Sequence, residues 1–147
     1  MLDEEMPRGI FVSFRRHLGS GGAAMLYHLG LEAGRSRGRH AMEMARRVGI
    51  RSLDRALELV AKALKALGYG IIEILEFQEE PPIIRMRIYQ SIECELGRGV
   101  GQPFSQYVRG IIAGMISEIL QREMTAKEVK CIAKGDSYCE FELKPRM

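Results

Sequence analysis

The pattern of apolar and polar positions marks out most of this chain. Leu53, Ala56, Leu57, Val60, Ala63, Leu64 and Leu67 recur at three- and four-residue steps, one face of an amphipathic helix. Ser52 stands before it as an N-cap, and Gly68 and Gly70 follow as stop signals. The pattern then changes period. Ile71–Phe77 and Ile83–Leu96 read as two strands joined by Glu79-Glu80-Pro81-Pro82. In the second strand Ile84, Met86, Ile88, Ile92, Cys94 and Leu96 fall on one face. Arg85, Arg87, Ser91, Glu93 and Glu95 fall on the other, with Gln90 a misfit on the apolar side. Gly97 to Pro103 reads as a loop, and Phe104 to Glu123 as a helix with Tyr107, Val108, Ile111, Ile112, Met115, Ile116 and Leu120 apolar. A hairpin closes the chain, Glu128–Ala133 and Tyr138–Leu143 around Lys134-Gly135-Asp136-Ser137. At the other end, Arg8–Phe14 is short, apolar and β-prone, so it reads as a strand. Ser20-Gly21-Gly22 then opens a helix running to about Gly34, with an arginine-rich continuation broken by Gly38.

The order is thus β-α-α-β-β-α-β-β. Strands paired in hairpins rather than alternating with helices point to an α+β fold, an antiparallel sheet with helices packed on one face. With 147 residues and no linker, residues 1–147 are expected to form a single domain. Apolar residues at 46% and charged residues at 28% are globular values and exclude a disordered or fibrous chain. No apolar run approaches the ~20 residues of a membrane span. The acidic opening MLDEEMPRG lacks the apolar stretch of a secretory leader, so the expected compartment is the cytoplasm. A net charge of +3 is too mild to argue for nucleic acid. Seven arginines between Arg35 and Arg55 read as a solvated face, with no helix-turn-helix pattern or interleaved aromatics beside them. Asparagine is absent and threonine occurs once, at Thr125, a composition that fits a thermophile.

Candidate chemistry sits near the end. Cys94, Cys131 and Cys139 all fall on the apolar face by alternation, and a turn centred on Gly135 sets Cys131 opposite Cys139. Val129 and Ala133 share that face. Three readings are open: small buried hydrophobes, a disulfide, or ligands to a metal. In the last, Cys94 adds a third sulfur. Glu128, three residues before Cys131, lies on the wrong face unless the strand bulges or begins there.

The segment from Glu128 to Phe141, Glu-Val-Lys-Cys-Ile-Ala-Lys-Gly-Asp-Ser-Tyr-Cys-Glu-Phe, resembles the signature of the 4-vinyl reductase-like domain family. Ser91-Ile92-Glu93 is similar to its Ser-Phe-Glu strand, and Gly110 and Gly114 to its glycine-bearing helix. The resemblance covers about the last 60 residues and implies a small α+β domain, often dimeric. Members sense aromatic molecules for phenol- and xylene-responsive regulators or stand alone as hydrocarbon-binding proteins, and one branch is tied to bacteriochlorophyll synthesis. The implied fold is similar to that of TRAPP trafficking-complex subunits, which carry an acyl chain in a tunnel. It also implies zinc, held by Glu128, Cys131, Cys139 and a cysteine whose place falls here at Ser105. Cys94 or a water then completes the shell, or the site is empty.

The function expected is therefore binding or sensing of a small hydrophobic or aromatic ligand by a cytoplasmic homodimer. Zinc, if the C-terminal hairpin holds it, is expected to be structural. The cavity is expected between helices and sheet, lined by Met25, His28, Leu29, Met86, Phe104, Tyr107 and Ile111, with His28 and Tyr107 offering polar contacts. The alternatives are a protein-interaction scaffold and, third, a vinyl-tetrapyrrole reductase. The scattered histidines (17, 28 and 40) build no nucleophile–base pair, so no enzyme is expected.

Overall fold

The computed structural model describes residues 5–147. The first four residues of the acidic opening, on which the expectation about a secretory leader was placed, lie outside them. Helices α1 (Glu5–Arg47) and α2 (Leu53–Ala66) come first, followed by strands β1 (Ile71–Gln78) and β2 (Ile83–Tyr89). A one-turn helix α3 (Ile92–Leu96), helix α4 (Gln106–Leu120) and strands β3 (Met124–Lys130) and β4 (Cys139–Pro145) complete the chain. The strands form one antiparallel sheet in the order β1-β2-β4-β3. The α+β class and the antiparallel sheet with helices on one face stand.

The sheet's inner face carries Ile84, Met86, Ile88, Phe141 and Leu143, all within 2% of complete burial. They pack against α4 and α2, whose Leu57, Ile112 and Ile116 are equally buried. The outer face holds Arg85, Arg87 and Tyr89 against Glu140 and Glu142. Arg87 pairs with Glu140 at 2.8 Å and Arg85 reaches it at 3.4 Å.

Helix α1 forms a second layer on α4. A Cβ on Gly30 or Gly34 would collide with the carbonyls of Tyr107 and Ile111, and one on Gly110 or Gly114 with those of Tyr27 and Leu31. Four-residue spacing of glycine on both helices is what lets the backbones touch. Gly38 belongs to the same seam, facing Met115 and Glu118, and does not break the helix. Of the arginines beyond it, Arg39 pairs with Glu118 and Arg47 with Glu43, while Arg35 just before it pairs with Glu123.

Three local expectations are corrected. Arg8–Phe14 is helical, not a strand, so α1 replaces the leading strand and runs through to Arg47, with a bend at Gly19 (φ 55°, ψ −133°). Its apolar residues obey helical packing: Phe11 is buried with its ring 5.2 Å from that of Tyr107. Second, the strand expected over Ile83–Leu96 stops at Tyr89. Gln90, at φ 55°, turns the chain and Ser91 opens α3. Third, the terminal hairpin is wider than expected. Cys131 lies past β3 at the start of a 3₁₀ turn, Ile132–Lys134, so it is not directly opposite Cys139. Gly135 does adopt positive φ, 105°.

Candidate functional site

The three sulfurs converge despite the altered hairpin. Cys94 comes from α3, Cys131 from the turn after β3 and Cys139 from the start of β4. Each is 0% exposed. Cys94 Sγ lies 3.4 Å from Cys131 Sγ and 2.6 Å from Ser105 Oγ, and Ser105 reaches Cys139 Sγ at 3.8 Å. All three thiols are free, and a 3.4 Å separation is a hydrogen-bonding distance rather than the ~2.05 Å of a disulfide. The backbone N–H of Ile132 also donates to Cys139 Sγ, at 3.5 Å.

Glu128 and Cys131 share a face because β3 bulges between them. Glu128 pairs with Phe141 and Lys130 with Glu140, so Val129 is the extra residue. Glu128 follows Met124 and Ala126 on the inward face, and the bulge after it leaves Val129 37% exposed, reversing the expected direction of Val129. One donor atom each from Cys94, Glu128, Cys131 and Cys139 falls within a 4.8 Å cluster.

The electrostatics of the cluster suit a cation. Both Glu128 oxygens are buried without a hydrogen-bond partner. Burial pushes the Glu128 carboxyl up to about 8. The thiols share their protons unequally. Hydrogen bonding from Cys139 and Cys94 holds Cys131 well below the ordinary thiol range, whereas bonding to Cys131 raises Cys94 and pushes Cys139 up to about 12. Three sulfurs and a carboxylate are the donor number and type of a tetrahedral zinc shell. Ser105, where the resemblance places a fourth cysteine, stands at the start of α4 and bonds to Cys94 instead. The four residues present can hold a metal ion.

Beside the cluster, Glu93 is 0% exposed. Its carboxylate accepts from the backbone N–H groups of Tyr107 (3.0 Å) and Val108 (2.8 Å) in the first turn of α4, where a negative charge is favoured. Arg15 of α1 donates to the same carboxylate at 2.6 Å, to the Phe104 carbonyl at 2.8 Å and to the Gln106 side chain. The guanidinium also stacks 3.6 Å from the centre of the Phe104 ring. Burial raises the Glu93 carboxyl, and these donors oppose that.

On the other side of α3 lies an apolar cleft of about 340 Å³. The N-terminal half of α1 contributes Met6, Pro7, Ile10 and Phe11, and its second half Leu29. The turn after α2 contributes Leu67, Gly68 and Tyr69, while Ile92 and Tyr107 complete the wall. None of these side chains carries a charge. The Tyr69 and Tyr107 rings lie 6.2 Å apart, and burial together with the Tyr107 hydroxyl pushes Tyr69 up to about 12.

Only part of the expected cavity coincides with this cleft. Leu29 and Tyr107 line it. Met25 is half exposed and His28 exposed, so both face outward from α1. Met86 and Ile111 are packed into the two core clusters, and Phe104 lies beneath Arg15. Between helices and sheet, near Met86 and Ile112, the void is about 10 Å³. The cleft opens at the end of the helical layer instead. Arg15, Phe11 and Tyr69 were not legible as site residues, whereas Ile92 lies on the inward face of Ile84–Cys94 from which the cavity was expected to draw. Arg15 and Phe11 sit in or beside a segment of strand-like composition, and Tyr69 sits between two turn glycines. Tyr69 carried the one available signal, an aromatic ring where a connection ordinarily has polar residues.

The fold and sites define a small α+β domain with an apolar cleft beside a thiol–carboxylate cluster. The model of the V-4-R (vinyl-4-reductase) domain matches residues 84–145, which include the whole cluster. The uncharacterized protein MJ0150 of Methanocaldococcus jannaschii is 33% identical over 146 residues, 97% of this chain and 78% of that protein. This chain belongs to the vinyl-4-reductase domain family. Among solved structures it is similar to the phenol-responsive sensory domain of the transcription activator PoxR, determined with phenol. The TM-score is 0.87 at 16% identity, covering 98% of this chain and 75% of that one. It is also similar to trafficking protein particle complex subunit 3 from Naegleria fowleri, covalently bound to palmitic acid. Here the TM-score is 0.60 at 14% identity, covering 99% and 98% of the two chains. At these identities the likeness is one of fold.

Proposed function

We propose that this domain binds a small, uncharged hydrophobic or aromatic molecule in the cleft between Phe11, Tyr69, Ile92 and Tyr107, and that it senses rather than transforms it. The cleft carries the reading. Its volume of about 340 Å³ lies in the range of small-molecule sites, and its walls are apolar apart from two tyrosine hydroxyls. A charged ligand would lose hydration there without gaining a counter-charge. Among the described residues its walls hold no cysteine, histidine or carboxylate to move a proton or attack a bond, which favours binding over turnover. The phenol seen in the PoxR domain and the palmitic acid on the trafficking subunit support apolar ligands on this fold.

The metal in this reading is zinc, held by Cys94, Glu128, Cys131 and Cys139. Bound there, it supplies a cross-link between the terminal hairpin and α3 and counter-charge for Glu128. Exposed Met6, Leu18, Met25 and Leu29 along α1 support a homodimer, and free thiols suit the cytoplasm. Protein-interaction scaffolding is the second reading. It is favoured by the exposed cleft rim at Met6, Ile10 and Leu67.

A thermal-shift series with benzene derivatives and medium-chain alcohols tests the proposal. A ligand that binds only the folded chain raises Tm with concentration. Tyr107→Ala is expected to abolish the shift. No shift with any member of the series, alongside stable co-purification of another protein, would overturn the sensor in favour of the scaffold.

A further inference from the structure

We infer that the apolar cleft and the thiol–carboxylate cluster are coupled through α3 and the first turn of α4, so that loading the cluster with metal tightens ligand binding in the cleft. This deepens the proposed function and rests on its reading of both sites. Three consecutive residues of α3 serve three places. Ile92 is cleft wall, Glu93 ties the start of α4 to Arg15, and Cys94 enters the cluster. The residues leading into α4 repeat the arrangement: Ser105 touches the cluster, Gln106 bonds Arg15 and Tyr107 lines the cleft.

Helix α3 is five residues long, too short to hold its own orientation, so its side-chain anchors set it. One anchor is Cys94. Another is Glu93, and through it Arg15. Arg15 lies in the part of α1 before the Gly19 bend, which supplies four cleft residues, Met6, Pro7, Ile10 and Phe11. Movement of Cys94 therefore moves Ile92 directly. Through Glu93 it shifts the α1 segment that closes the other side of the cleft. The binding coupling is reciprocal: whatever factor the metal adds to ligand affinity, the ligand adds to metal affinity.

The test uses zinc and the neutral fluorescent probe N-phenyl-1-naphthylamine. Zinc-loaded protein is expected to bind the probe about tenfold more tightly than chelator-treated protein. Zinc affinity, read by competition with a chromophoric chelator, should rise by the same factor when the probe is present. Arg15→Lys keeps the charge but cannot serve Glu93, Phe104 and Gln106 together. It should retain full zinc content while its coupling factor falls towards one. Equal probe affinity in loaded and stripped protein, with folding checked by circular dichroism, overturns the coupling and leaves the cleft reading intact. Failure of the loaded protein to bind the probe defeats the cleft reading, and failure to take up zinc defeats the metal reading. In either case the coupling falls with it. If stripping unfolds the chain, the comparison is between zinc-loaded wild type and Arg15→Lys. The variant must then bind the probe at least about fivefold more weakly, and equal affinity overturns the inference.

Discussion

A methyl group at Gly34 would land on the carbonyl oxygen of Ile111, with no flexible side chain to yield. Gly34→Ala is therefore expected to lower stability by at least about 1–3 kcal/mol, read as a fall in the urea midpoint. Gly9 makes the opposite case. Nothing lies within 4 Å of its would-be Cβ and it sits inside a helix, so Gly9→Ala should stabilise by about 0.5–1 kcal/mol. Tyr69 predicts an alkaline effect. Its hydroxyl, raised from 10.0 to about 12, keeps its proton in the folded chain after the unfolded chain has lost it. Its contribution to stability is thus complete below pH 10 and is lost as pH rises towards about 12. Absorbance of tyrosinate should show a late-titrating ring that is absent in Tyr69→Phe. In the cluster, Cys139→Ser removes one of three sulfurs. Zinc retained through gel filtration by the unmodified chain should be lost from this variant, and chelation should lower Tm in the former but not the latter.

At the scale of elements, the bend in α1 is set by one residue. Gly19 holds φ 55° and ψ −133°, a region essentially closed to other residues, so Gly19→Ala should cost about 1–3 kcal/mol in thermal unfolding. How far each element could be read follows from what its pattern encodes. Leu53–Ala66 was legible with its cap, because an amphipathic helix repeats one instruction over several turns and Ser52 does bond the Arg55 N–H, at 3.2 Å. The β1–β2 and β3–β4 hairpins were legible from alternation. Arg8–Phe14 was not. Ile10, Phe11, Val12 and Phe14 favour a strand by about tenths of a kcal/mol, less than the packing of Phe11 on Tyr107 and the anchoring of Arg15 supply. In Ile83–Leu96 the alternation runs on past the true strand end. The contrary sign was Gln90, whose polar side chain marked the turn. Membership of the cluster was readable from the spacing and resemblance of Glu128, Cys131 and Cys139. The means was not: a bulge at Val129 leaves no trace in composition, and it is what lets Glu128 and Cys131 face the same way.

At the scale of the whole molecule, the exposed methionines and leucines of α1 predict self-association. Sedimentation equilibrium should report twice the 16.6 kDa chain mass, and Leu18→Glu with Met25→Glu should return it to a single chain. The dense interior carries one more consequence. Helices meet backbone to backbone along the glycine seam, and the void near Met86 and Ile112, beside the sheet, is about 10 Å³. Unfolding under hydrostatic compression is driven by the elimination of such voids. With so little emptiness to erase, the domain should withstand kilobar loading better than proteins of its size with hollow ligand cavities. Its first barometric response should come from the open end of the helical layer.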